Sequence, residues 1–148
     1  MKNLIFISFF LFLSSHNLRI YAAQKLTSKK MVRLYKTELY QTFYKYLDSK
    51  GIHSYYIPRL FCIAKLESNL DPYAFNINKN GTIDVGLLQI NSIWYKYCKF
   101  PLYKIENNVS CAKTVLEKQG LKAWVTYNEF GHICEKSISI IKDSGENI

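Results

Sequence analysis

Two carboxylates carry the chemistry this chain is best equipped to perform. Glu67 closes the run Phe61-Cys62-Ile63-Ala64-Lys65-Leu66, which reads as the end of a helix. A carboxylate at a helix C-terminus meets the negative end of the dipole and apolar neighbours, and both favour its protonated form. A carboxyl that keeps its proton near neutral pH can act as a general acid. Asp84 follows the stretch Asn76-Ile77-Asn78-Lys79-Asn80-Gly81-Thr82-Ile83, whose polar side chains would keep it ionised. Two carboxyl groups in opposite environments are what glycoside hydrolysis uses. The residues alone leave a plainer account open, in which a surface glutamate and a turn aspartate share no task. Other chemistries lack their signatures: there is no Gly-rich phosphate loop, no G-x-S-x-G elbow and no H-E-x-x-H.

The elements that would hold these groups are mostly helical. Val32, Tyr35, Leu39, Phe43 and Tyr46 recur at helical spacing over residues 28–48, with Ser28 as a possible cap and Gly51 after the end. A second helix is expected from Pro58 to Ser68, with Ile57, Leu60, Phe61 and Ala64 on one face, until Asp71-Pro72 breaks it. Asn80-Gly81 is a strong hairpin signal, and Val85 to Ile90 would be the returning strand. Residues 96–107 read as a loop. Helical patterning returns over 108–118, pauses at Gly120, resumes from Leu121 to Phe130, and closes with a short helix over 135–142. The expected fold class is α+β, mainly helical with a small antiparallel sheet.

The 148 residues are one domain's worth of chain. Residues 1–23 have a basic start, a run of about 10 apolar residues and small residues after it, the pattern of a secretory signal peptide rather than a membrane span. Residues 24–148 then form the mature domain, secreted and extracellular, with 18 basic and 11 acidic residues and a net charge of +7. The cations are scattered, so the surface as a whole is basic and suits an anionic partner. In an oxidising compartment Cys62, Cys98, Cys111 and Cys134 argue for two disulfides, with three possible pairings. Their spacing contains no C-x-x-C, which argues against zinc.

The runs around the two carboxylates resemble one family. Cys62-Ile63-Ala64-Lys65-Leu66-Glu67-Ser68 is similar to the helix bearing the catalytic acid in C-type lysozymes and α-lactalbumins. Asp84-Val85-Gly86-Leu87-Leu88-Gln89-Ile90-Asn91-Ser92 resembles the family's D-Y-G-x-x-Q-I-N-S signature, 17 residues downstream of Glu67 as in the family. Cys111-Ala112-Lys113 and Ala123-Trp124-Val125 match two further landmarks, and Lys36-Thr37-Glu38-Leu39 falls where the first helix begins. The resemblance spans residues 31–134. It implies a lysozyme-like fold with a cleft between lobes, Glu67 as general acid and Asp84 as nucleophile or ion-stabilising carboxylate, a division of labour that is the family's own. It implies that Trp124 walls Glu67, and that Asn78, Gln89, Asn91, Trp94, Ala123, Trp124 and Val125 contact substrate. It also implies Cys62–Cys134 and Cys98–Cys111 as the pairs. Closing loops of about 70 and about 14 residues would then contribute roughly 4 and 3 kcal/mol on the chain-entropy view.

The departures are as informative. The family has eight cysteines and this chain has four; Thr37 stands where the first-helix cysteine belongs. The loop before the C-A-K helix is about 15 residues shorter than in the family, which trims the small lobe. The stretch Leu102-Tyr103-Lys104-Ile105-Glu106-Asn107-Asn108 has one acid and a lysine where the α-lactalbumins bind calcium, so no metal or other cofactor is expected. What the resemblance implies is a secreted muramidase acting on bacterial peptidoglycan or a related amino-sugar glycan, as a monomer, without nucleic acid or stable membrane insertion. A non-catalytic glycan-binding protein and a cationic membrane-active protein are the alternatives.

Overall fold

The computed structural model describes residues 25–146 and Ile148; the expected signal peptide at 1–23 lies outside them. Among the described residues five α-helices, three short strands and two 3-10 turns follow one another: α1 Ser28–Tyr35, α2 Glu38–Ser49, α3 Ile57–Ser68, β1 Phe75–Ile77, β2 Ile83–Val85, β3 Ile90–Asn91, a 3-10 turn Ser92–Tyr97, α4 Ile105–Gln119, a second 3-10 turn Gly120–Ala123, and α5 Val125–Asp143. Among these helices none is long and apolar enough to cross a membrane.

Helix α3 is the centre of the molecule. Pro58 sits in its first turn, where a missing N–H costs nothing, and Asn69 ends it in the left-handed region at φ 57°. Ten of its twelve residues are buried, so it is covered all round rather than on the one face its apolar spacing suggested. On one side it packs with α1, α2 and α5 around Met31, Tyr35, Tyr40, Phe61 and Ile138; on the other it meets α4 and the strand region through Leu60, Ile63, Leu88 and Val109. A disulfide between Cys62 and Cys134 joins α3 to α5. Beside it Arg59 pairs with Glu135 at 2.6 Å, and the Tyr127 hydroxyl donates to the same carboxylate at 2.5 Å. The second disulfide, Cys98–Cys111, ties the segment after the first 3-10 turn to α4.

Several boundaries differ from expectation for local reasons. The helix expected over 28–48 is two helices, because Thr37 adopts extended backbone and its side chain accepts from the Tyr40 N–H as an N-cap. The position expected to carry a cysteine in the family thus starts a helix. Between α1, α2 and α3 the rings of Tyr35, Tyr40, Phe43 and Phe61 pack edge to face, with contacts at 5.0 Å and 5.1 Å. The 96–107 loop is partly helical: the 3-10 turn reaches Tyr97 and α4 already begins at Ile105. The two C-terminal helices are one, since Gly131 continues α5; a Cβ there would lie 3.2 Å from the Tyr127 ring, so glycine makes room for that ring inside the helix.

The strands form one antiparallel sheet in the order β1-β2-β3, with Asn76 opposite Asp84 and Asp84 opposite Asn91. The expected returning strand over 85–90 is interrupted by a turn at residues 86–89, where Gly86 (φ 81°) and Gln89 (φ 46°) are both left-handed. Glycine is required at 86: a Cβ would lie 2.3 Å from Asn108 Nδ2 and 2.4 Å from the Leu102 carbonyl. Asn108, fully buried on α4, accepts from the Leu88 N–H at 2.9 Å and donates to the Val85 and Leu102 carbonyls at 2.8 Å and 3.0 Å.

Two outcomes follow from this packing. Asn108→Ala strands three buried backbone groups and should cost about 3 kcal/mol in urea unfolding. Burial raises the phenols of Tyr35 and Tyr40, helped by their tyrosine neighbours, and that of Tyr127, helped by its bond to Glu135. The folded chain therefore keeps protons that the unfolded chain releases above about pH 10, and stability should fall as pH rises past that point. Absorbance titration near 295 nm should show these phenols ionising only as the protein unfolds.

Candidate active site

A cleft of about 420 Å³ opens between the sheet and the helices. Glu67 enters it from the last turn of α3 and Asp84 from the middle of β2, so two different elements each supply one carboxylate. Both are nearly buried, at 7% and 8% exposure, and each is hydrogen-bonded.

Their surroundings differ as the residue types suggested. Asp84 sits in a ring of amides. Asn91 Nδ2 donates to Oδ1 at 2.7 Å, while Asn78 Nδ2 and Asn76 Nδ2 donate to Oδ2 at 3.0 Å and 3.3 Å. Thr82 Oγ1 accepts from Asn78 and from Asn91, at 3.0 Å and 3.1 Å, and so links two of the three amides. The sheet register explains the ring, since Asn76 and Asn91 are the cross-strand partners of Asp84. It also reverses the usual sidedness of a half-buried sheet: Asn76 is 2% exposed, while its apolar neighbours Phe75 and Ile77 are 58% and 65% exposed. The inward face of this sheet is polar because it serves the cleft. Burial, and after it the Asp84 charge, raises the nearby Tyr95 phenol.

Glu67 shares its part of the cleft with Trp124 and accepts from the hydroxyl of Thr126. Trp124 is buried beside the cleft and its indole N–H donates to the Leu88 carbonyl at 2.8 Å, which fixes the ring as a wall. Thr126, in the first turn of α5 and 8% exposed, donates from Oγ1 to Glu67 Oε1 at 2.7 Å. The next residue of α3, Ser68, donates to the Leu87 carbonyl at 2.7 Å and ties the helix end to the turn at 86–89.

The remaining residues named from the sequence come together in the same cleft. Asn78 lines it from just after β1, Asn91 from β3, Trp94 from the 3-10 turn, and Ala123 and Val125 from either side of Trp124. The Trp94 ring is half-buried and lies 6.0 Å from that of Tyr97. Gln89 also lines the cleft, but its Nε2 donates to the Ala74 and Gly86 carbonyls at 2.9 Å and 2.8 Å, so that amide braces the turn. Those two bonds hold a non-glycine residue in left-handed backbone. Sequence reasoning missed Thr126, Asn76 and Asn108. Asn76 was hidden among turn formers. Nothing marked Thr126, which follows an apolar pair in an ordinary helix start. Among the described residues, no group of three or more His, Cys, Asp or Glu could hold a metal ion.

The chain is similar to several known proteins. It is 33% identical to the milk isozyme of lysozyme C from Canis lupus familiaris over 99 residues, which cover 56% of this chain and 77% of that protein. It is 32% identical to lysozyme C of Equus asinus over 108 residues, covering 62% and 82%. With lysozyme C of Dromaius novaehollandiae it shares 38% identity over 82 residues, covering 45% and 56%. No protein-family model matches the chain. Its fold is that of the crystal structure of a lysozyme from Litopenaeus vannamei, with a TM-score of 0.53 at 24% identity over 80% of this chain and 95% of that one.

Asn91 does two jobs: its Nδ2 bonds Asp84 and its Oδ1 caps the 3-10 turn by accepting from the Ile93 N–H at 3.1 Å. Asn91→Ala should cost about 2 to 3 kcal/mol in urea unfolding, from a lost bond to a charged acceptor and a lost cap.

Proposed function

The chain belongs to the C-type lysozyme family, and from that premise we propose that it is a secreted muramidase that hydrolyses the β-1,4 bonds of bacterial peptidoglycan with retention. The observation that carries this reading is the arrangement of Glu67 and Asp84: two buried, hydrogen-bonded carboxylates from different elements facing one cleft, one beside an indole wall and one in a ring of amides.

In the proposed reaction Glu67 gives its proton to the glycosidic oxygen as the bond to the anomeric carbon breaks. The carboxylate of Asp84 takes the electron-poor carbon, as a covalent partner or as a charge beside it, and the three asparagine amides keep that carboxylate aimed. Glu67, now ionised, removes a proton from the water that attacks the same carbon, which releases the sugar and restores both groups. Asn78, Asn91 and the rings of Trp94 and Trp124 would hold the glycan, the amide oxygens by accepting from hydroxyls or N-acetyl N–H groups and the rings through sugar faces. The net positive charge suits an anionic wall polymer. Two disulfides are what an extracellular protein of this size would carry.

The direct test is release of soluble muropeptides from peptidoglycan by the oxidised protein and by its Glu67→Gln variant. The native protein should release products and the variant should lose turnover by at least 100-fold while still binding glycan. The rate should also trace a bell with pH, since the acid role needs a proton on Glu67 and the other role needs Asp84 ionised. Glycan binding without products from either protein would replace this reading with a non-catalytic glycan-binding one.

A further inference from the structure

The carboxyl of Glu67 lies between two helix ends of opposite sign. It belongs to the last turn of α3, whose negative end disfavours its ionised form, and it is 2.7 Å from the hydroxyl of Thr126 in the first turn of α5, whose positive end favours it. We propose that Thr126 is a positioning residue that sets the pH at which Glu67 loses its proton, drawing the alkaline limit of activity toward acid. The inference rests on the reading of Glu67 as the proton donor.

The chemistry is directional. A hydroxyl bonded to an ionised carboxylate makes a charge-assisted hydrogen bond, roughly twice as strong as the neutral bond it makes with the protonated acid. The bond is therefore worth more after Glu67 ionises, and ionisation comes at lower pH than it would without the hydroxyl. Burial magnifies the difference, because both residues are shielded from the water that would otherwise supply a replacement donor. Trp124 and the end of α3 pull the other way, so the observed limit is a balance in which Thr126 is the part that a single atom change removes.

Other charges face the same cleft. Asp84 on β2 and Glu129 on α5 oppose ionisation of Glu67, and Lys79 at the hairpin tip favours it. Lys65 lies on α3 itself and donates to Asn69, while Lys122 stands exposed on the turn before α5. None of these groups changes when Thr126 loses its hydroxyl, so a comparison of Thr126 variants isolates the hydrogen bond. Valine replaces the hydroxyl by a methyl of nearly the same size. Serine keeps the hydroxyl and drops the methyl.

The test is a side-chain carbon NMR titration of Glu67 in the native protein, Thr126→Val and Thr126→Ser, with Glu67→Gln to assign the signal. The pH–rate profile on peptidoglycan is recorded for the same proteins. In Thr126→Val the titration midpoint of Glu67 should rise by about one pH unit. The alkaline limb of the rate profile should move with it, so that the variant outperforms the native protein on the alkaline side. Loss of packing alone would not produce such a gain. Thr126→Ser should return both toward native. If Thr126→Val fails to fold, Thr126→Ala serves in its place. A midpoint in the hydroxyl-free variant at or below the native one overturns the proposal. If the native protein hydrolyses no peptidoglycan, the muramidase reading fails, and the NMR midpoints still decide the role of Thr126.

Discussion

The turn at residues 86–89 is the joint on which the rest of the molecule depends. Its backbone is gripped by side chains from three directions: Ser68 at the end of α3 holds the Leu87 carbonyl, Trp124 at the start of α5 holds the Leu88 carbonyl, and Asn108 on α4 holds the Leu88 N–H. Gly86 lets Asn108 approach, and Gln89 ties the turn back to Ala74. A three-stranded sheet this short has little stability of its own. What fixes it against the helices is this set of polar bonds on a buried turn, and through it the position of Asp84 relative to Glu67. Residues adjoining both carboxylates thus take part in holding the wall that faces them.

The two disulfides and the aromatic core supply rigidity in different ways. The disulfide Cys98–Cys111 anchors the segment after the first 3-10 turn to α4, and that turn carries Trp94 into the cleft lining. On the far side, the core between α1, α2 and α3 is held by the interlocking rings of Tyr35, Tyr40, Phe43 and Phe61. Aromatic packing of this kind stabilises the folded state through contact, whereas a disulfide acts mainly on the unfolded chain.

Much of this was legible in the sequence, and the illegible parts share a cause. Helix α3 announces itself through Pro58 at its start and Asp71-Pro72 beyond its end, and the hairpin through Asn80-Gly81, because those residues fix backbone angles locally. The cleft residues from Asn78 to Val125 were legible through their resemblance to one family's signatures. The break at Thr37 was hidden because apolar spacing runs straight across it, and a threonine caps a helix only when the preceding chain turns away. The continuity of α5 through Gly131 depends on a ring packed against it. Thr126, Asn76 and Asn108 act through partners 59, 8 and 20 residues away, respectively, in Glu67, Asp84 and Leu88. Bonds of that kind are set by the tertiary fold and leave no periodic mark.

Amide hydrogen exchange at Leu88 tests the role of the turn most directly. Turns ordinarily exchange quickly because their amides open without unfolding. Here the Leu88 N–H should exchange as slowly as the core amides of α3, while amides at the hairpin tip around Asn80 exchange rapidly. A Leu88 amide that exchanges as fast as the tip would contradict the account, for it would mean that the turn opens freely and cannot hold the two carboxylates in register.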